Sequence, residues 1–130
     1  MRLLVVDDSP EIVEILSSVM EIIGHEVTKA YDGTEAVKQL LNNRYDIVIT
    51  DAKMPIMDGI ELCKFIKSQF PDIYIIGISG YLDALKEFKE AGADICLSKP
   101  FTFEEIEEAV KLRFNTSPTA FGSIALQIIV

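Results

Sequence analysis

Leu3-Leu4-Val5-Val6-Asp7-Asp8-Ser9-Pro10 opens the chain: an apolar run, two carboxylates, then a serine and a proline where a helix would begin. The pattern of an apolar run closed by an acid returns at Ile47-Val48-Ile49-Thr50-Asp51. A short run that is apolar at successive positions suits a strand covered on both faces. Val27 to Ala30, Ile73 to Ile78 and Ile95 to Leu97 read the same way. Between these runs the apolar spacing is helical, with Ile12, Leu16, Val19 and Ile23 in the first interval and Leu62, Phe65 or Ile66, and Phe70 in the third. Start signals agree: Ser9 before Pro10, and capping-box spacings at Asp32 with Glu35, Asp58 with Glu61, and Thr102 with Glu105. Gly24 and Gly92 are suited to end helices. The fourth helix, around Leu82 to Ala91, has the narrowest apolar stripe.

Strict alternation of buried strands with helices predicts an α/β fold, a doubly wound parallel sheet with helices on both faces and right-handed crossovers. Five units suit the flavodoxin-like strand order 2-1-3-4-5, whose ligands bind at the carboxyl ends of strands 1 and 3, where the order reverses. Chemistry is therefore expected just after Val6 and just after Thr50.

The 130 residues, 49% of them hydrophobic, suffice for one domain with a substantial core. A net charge of −9 opposes the phosphate backbone and argues against direct binding of nucleic acid. Cys63 and Cys96 are too few for a disulfide framework and read as buried thiols. The apolar run before Asp7 is too short for a signal peptide or a membrane span, so a cytoplasmic location is expected, away from membranes.

Asp7, Asp8 and Asp51 would converge at the switch point. Closely packed carboxylates repel and raise one another's pKa unless a cation neutralises them, and an all-oxygen donor set suits Mg²⁺. Ser79 would add a hydroxyl from the end of the fourth strand and Lys99 a mobile charge from the end of the fifth. Taken singly, each has an ordinary explanation as a cap, a turn residue or a solvated side chain. Together they line one rim.

Over residues 1–114 the chain resembles the receiver domains of two-component response regulators. The likeness rests on Leu3-Leu4-Val5-Val6-Asp7-Asp8, on Asp51-Ala52-Lys53-Met54-Pro55-Ile56-Met57-Asp58-Gly59, on Ser79-Gly80, on Ala91-Gly92-Ala93 and on Lys99-Pro100-Phe101. The resemblance implies that Asp51 accepts a phosphoryl group from the phosphohistidine of a sensor histidine kinase or phosphotransfer protein. It also implies that Asp8 binds Mg²⁺ directly and Asp7 through water, with Asp51 and the Lys53 backbone carbonyl completing the protein ligands. Lys99 would pair with phosphoryl oxygens, and Ser79 would hydrogen-bond another, biasing the surface of helix 4, strand 5 and helix 5 toward a downstream protein target. Such a domain catalyses only its own phosphorylation and dephosphorylation.

Two departures from the family pattern stand out. Cys96 sits three before the lysine, where the family usually has an aromatic ring that rotates with the switch. Lys53 and Tyr81 occupy the positions that tune how water reaches the acyl phosphate, although Lys53 pointing into solvent is an equal alternative. Rival classes fit less well. A dehalogenase-type phosphatase would need an acid where Lys53 stands, and in an FMN carrier Asp7-Asp8 would repel the phosphate.

Beyond Phe114 lie a turn-rich Asn115-Thr116-Ser117-Pro118 and the apolar Ile124-Ala125-Leu126-Gln127-Ile128-Ile129-Val130. Such a tail is expected to be covered, as a sixth strand beside the fifth or in contact with a second copy in a homodimer.

Overall fold

The protein is described as a computed structural model over residues 1–114. Its elements alternate: β1 (Arg2–Val6), α1 (Pro10–Ile23), β2 (Glu26–Ala30), α2 (Gly33–Asn42), β3 (Ile47–Asp51), α3 (Gly59–Gln69), β4 (Tyr74–Ser79), α4 (Leu82–Ala91), β5 (Ile95–Ser98) and α5 (Phe103–Phe114). The strands form one parallel sheet in the order β2-β1-β3-β4-β5. The register sets Val6 beside Ala30 and Thr50, and Asp51 beside Ile78. Each strand end therefore arrives at the same edge.

The interior strands explain the arrangement. Leu4, Val6 and Val48 project to one face, where they meet Ala36 and Leu40 of α2, Leu62 and Ile66 of α3, and Phe88 of α4. Leu3, Val5, Ile47 and Ile49 alternate to the other face, against Val13, Leu16 and Met20 of α1 and Ile106 and Val110 of α5. Such fully buried aliphatic side chains each contribute about 1.5–3 kcal/mol relative to exposure. On β4, Gly77 leaves room for the ring of Phe88, because a Cβ there would lie 2.5 Å from Phe88 Cγ.

The helix termini follow the sequence signals closely. Asp32 accepts from the Glu35 amide at 2.7 Å and Asp58 from the Glu61 amide at 2.8 Å. Thr102 and Glu105 form a reciprocal capping box, each bonding the other's backbone amide at 3.2 Å. Gly24 and Gly92 end α1 and α4 with φ of 108° and 101°, a left-handed conformation that glycine adopts at little cost. Ser9 precedes α1 without a side-chain cap; its amide instead donates to Asp7 Oδ1 at 3.0 Å.

Several expectations need correction. Asp51 is the last residue of β3 rather than the residue beyond it, while Ser79 ends β4 as expected. Cys63 is a buried thiol, but Cys96 is only partly covered, because β5 is the edge strand. The expected stripe of α1 is rotated: Val13, Leu16, Ser17 and Met20 are buried, whereas Ile23 is 41% exposed. Apolar residues on several sides of α1 let more than one stripe be drawn, and the one that meets Leu3 and Val5 of β1 is Val13, Leu16 and Met20. The tail after residue 114, with its sixth-strand and homodimer readings, lies outside the described residues.

If Phe88 anchors α4 as its burial implies, Phe88→Ala should cost about 3–5 kcal/mol, whereas Leu41→Ala, at a 66% exposed position, should stay within about 0.5 kcal/mol. Urea unfolding midpoints and slopes of both variants check this.

Candidate functional site

The parallel sheet delivers its polar residues to one edge. Asp7 follows Val6 directly, and its amide donates to the Ala30 carbonyl at 3.2 Å, which holds the end of β1 against β2. Asp51 closes β3, Ser79 closes β4, and Lys99 follows β5 with its amide donating to the Ser79 carbonyl at 2.9 Å. The Lys99–Pro100 peptide is cis. Asp7, Asp51 and Ser79 are buried, while Asp8 is exposed.

Carboxylate oxygens of Asp7, Asp8 and Asp51 lie within 4.8 Å of one another. Lys99 Nζ stands between two of these acids, 3.2 Å from Asp7 Oδ2 and 3.0 Å from Asp51 Oδ1. Burial would pull the Lys99 pKa down, but its hydrogen bond to Asp51 and the charges of Asp51 and Asp7 outweigh that and hold it above the ordinary value. Asp7 is displaced upward, chiefly by burial and further by the Asp51 charge, although the Ser9 amide and Lys99 oppose the shift. One ammonium thus leaves a buried carboxyl short of positive charge. The donor set is all oxygen, with one carboxylate open to solvent, which suits a hard divalent cation that keeps several waters.

The loops carry the remaining predicted residues. Lys53 lies two residues beyond Asp51 with an exposed side chain, and its Nζ sits 4.2 Å from the centroid of the Tyr81 ring. Neither sequence alternative for Lys53 was this contact, a cation–π pair joining the loop after β3 to the loop after β4. Ser79 Oγ accepts from the Tyr81 amide at 3.0 Å. Cys96 Sγ lies 3.5 Å from the Leu85 carbonyl and donates to it, a bond from β5 to α4 at the position where the family usually has an aromatic ring. Burial raises its thiol pKa.

Two supporting residues escaped the sequence reading. Gly59 packs so closely on β3 that a Cβ would overlap the Asp51 carbonyl oxygen, which fastens the start of α3 to the aspartate. Ile56 adopts φ of 71° at the centre of a tight turn closed by the Met57 amide on the Pro55 carbonyl at 2.8 Å. A β-branched residue in that region is strained by about 1–2 kcal/mol. The only sequence signal for the strain was the dense run of Pro55, Met57 and Asp58 around it.

Residues 3–111 match the family described as the response regulator receiver domain. Response regulator MprA of Mycobacterium sp. (strain KMS) is 38% identical over 121 residues, covering 90% of this chain and 52% of that protein, so the chain spans about half the length of such relatives. Sporulation initiation phosphotransferase F of Bacillus subtilis (strain 168) is 38% identical over 112 residues, 85% of this chain and 90% of that protein. Among solved structures, a response regulator receiver domain protein from Clostridium thermocellum is similar at a TM-score of 0.82 and 32% identity, over 88% of this chain and 94% of the other. The chain belongs to the response regulator receiver family, the phosphoacceptor signalling domains of two-component systems. No helix among the described residues is long and apolar enough to cross a membrane.

The upward shift of Asp7 fixes the sign of a pH effect. Its carboxyl holds its proton more tightly folded than unfolded, so its contribution to stability is complete below the ordinary value of 3.8 and is lost as pH rises through the folded value. In EDTA, Asp7→Asn should therefore unfold at higher urea than the parent near neutral pH, with the advantage shrinking as pH falls toward about 4. An advantage that does not change with pH would refute the charge explanation.

Proposed function

We propose that Asp51 is the residue that receives the phosphoryl group, from the phosphohistidine of a sensor histidine kinase or phosphotransfer protein. The observation that carries this is the Lys99 ammonium 3.0 Å from Asp51 Oδ1, in a site where Asp7 and Asp8 lie close enough to share a cation. An Asp51 carboxylate oxygen forms a bond to phosphorus as the phosphorus–nitrogen bond of phosphohistidine breaks, and the departing imidazole takes up a proton. Water later cleaves the acyl phosphate, returning the carboxylate and inorganic phosphate. The domain catalyses these two events on itself and turns over no separate substrate.

Mg²⁺, when bound, would neutralise charge on the phosphoryl oxygens and the carboxylates. Asp8 and Asp51 would supply carboxylate ligands, with Asp7 acting through water and the Lys53 backbone carbonyl completing the protein set. Lys99 remains paired with the acids until phosphoryl oxygens offer it a better-placed anion. Ser79 then donates to another phosphoryl oxygen. Because its hydroxyl is bonded to the Tyr81 amide at the start of α4, this draws the loop inward and biases the α4, β5 and α5 surface toward a downstream protein target. The Cys96 bond to Leu85 holds β5 to α4, so in this chain the two move together without a rotating ring. Residues 1–114 constitute this receiver unit, acting in the cytoplasm without direct contact to nucleic acid.

Acetyl phosphate with Mg²⁺ should label Asp51, read by mass spectrometry after trapping the acyl phosphate. Asp51→Asn should abolish the label and EDTA should reduce it at least tenfold; undiminished labelling in either case would sink the assignment. The Lys53–Tyr81 pair joins the loop after β3 to the loop after β4, and in this reading it screens the acyl phosphate from the hydrolytic water. Tyr81→Ala should shorten the phosphoryl lifetime severalfold, and Lys53→Asn should change it in the same direction. Decay rates equal to the parent's in both variants would show that these side chains do not govern access.

A further inference from the structure

Every arginine of the chain, and none of its lysines, lines one of two adjoining depressions at the foot of the sheet, the end away from the candidate site. Arg2 opens β1 and Arg44 precedes β3, so both stand at the entry of the two strands that lead to Asp7 and Asp51. The feet of these strands are tied together: the Arg2 amide donates to Asp46 Oδ2 and the Asp46 amide to the Arg2 carbonyl, each at 2.8 Å. One depression, about 440 Å³, is lined by Arg2 and Arg44, by Asn42 and Asn43, and by the apolar side chains of Leu41 and Phe70. Among the described residues no Asp or Glu lines it. Its neighbour, about 360 Å³, shares Asn43, Arg44 and Phe70 and adds Arg113, but Asp46 and Asp72 line it as well.

The two guanidiniums of the acid-free depression are lightly engaged. Arg44 is exposed and has no hydrogen-bond or ion-pair partner among the described residues. Arg2 lies over the Tyr45 ring, 5.5 Å from its centroid, and only its Nε pairs, with Glu26 at 3.7 Å. Both members of that pair are open to solvent, where such a contact contributes at most about 1 kcal/mol. Asn42 and Asn43 each use one side-chain N–H at the end of α2, on the Lys38 carbonyl and on Gln39 Oε1, so each carboxamide keeps a second hydrogen and its own oxygen. Phe70 is half-buried, edge-on to Phe65 at 6.1 Å, and Leu41 is 66% exposed.

We infer that this depression binds a small organic phosphate of the nucleotide class, its phosphate on Arg2 and Arg44 and its ring system against Phe70 and Leu41. A chain of net charge −9 repels anions over most of its surface, so two guanidiniums with no carboxylate lining their depression mark a local exception. The planar guanidinium fork matches phosphate oxygens, and a phosphate monoester carries the charge to engage both arginines, where a simple carboxylate engages one. Covering Phe70 and Leu41 takes an apolar or aromatic body, and the remaining donors and acceptors of Asn42 and Asn43 suit the polar edge of a base or the hydroxyls of a sugar. The volume falls within the range of about 300–1,000 Å³ usual for small-molecule sites.

Adenosine and guanosine monophosphate, each titrated into the full chain in EDTA, test the site by NMR without any phosphoryl transfer, so the outcome is independent of the role given to Asp51. At least one should move the Asn43 and Arg44 amide signals and the Leu41 methyl signals saturably, while the δ1 methyl of buried Ile106 stays in place. Inorganic phosphate and adenosine should each bind at least about tenfold more weakly, because each covers only part of the depression. Arg44→Gln should weaken the nucleotide at least about tenfold, as loss of a charge-assisted hydrogen bond does. Lys86→Gln, on α4, should stay within about twofold, since salt screens a remote surface charge. Absence of saturation with both nucleotides, an affinity unchanged in Arg44→Gln, or inorganic phosphate binding as tightly as the nucleotide would each overturn the proposal. Shifts confined to the Asp51 and Lys99 amides would put the phosphate in the site already described and overturn it likewise. Shifts at Arg44 and Leu41 from a hexaglutamate peptide but not from either nucleotide would give the depression to an acidic protein segment instead.

Discussion

The reversal of strand order between β1 and β3 is the constraint on which the rest depends. It sets the ends of two neighbouring strands side by side with no crossover above them, so Asp7 and Asp51 are brought together at the end of a hydrophobic sheet. Charges held there need a counter-charge. Lys99 supplies part of it from β5, two strands away from β3, reaching both acids with one flexible side chain. Burial, with the neighbouring Asp51 charge, raises the pKa of Asp7 even with Lys99 beside it. Packing on both faces makes the arrangement affordable, because Leu4, Val5, Ile49 and Ile76 anchor the central strands whatever the charges at their ends do.

Much of this was legible in the residues. The five apolar runs located every strand to within a residue or two, and Asp32, Asp58 and Thr102 marked helix starts because a short polar side chain before a helix has one dominant use. Asp7, Asp8, Asp51, Ser79 and Lys99 were identifiable because the strand order alone carries them to one edge. The covered face of α1 was not legible in the same way. Ile12, Val13, Ile15, Leu16, Val19 and Met20 satisfy several helical stripes, and only the packing of the helix on its neighbours chooses between them. The Lys53–Tyr81 contact was also beyond reach, since it depends on the paths of two loops rather than on spacing within either.

The two loops nevertheless share a logic. After β3 the chain is held hard: Gly59 presses on the Asp51 backbone and the strained turn at Ile56 leads into α3. After β4 it is held by hydrogen bonds, from the Tyr81 amide to the Ser79 hydroxyl, from the Lys99 amide to the Ser79 carbonyl and from the Leu85 amide to the Tyr81 carbonyl, and by one cation over the Tyr81 ring. A contact of that second kind is worth about 0.5–1 kcal/mol at an exposed position. The backbone of the aspartate is thus packed against a helix start, whereas the side chains that join the two loops across the rim meet through that one exposed cation.

The bond from the Tyr81 amide to Ser79 Oγ has a mechanical side. It occupies a lone pair of the hydroxyl and leaves the hydroxyl's own hydrogen available, so Ser79 can donate to an incoming oxygen without first surrendering a partner. Tyr81 is also the residue immediately before α4. The Ser79 hydroxyl is thus one hydrogen bond away from the root of a ten-residue helix.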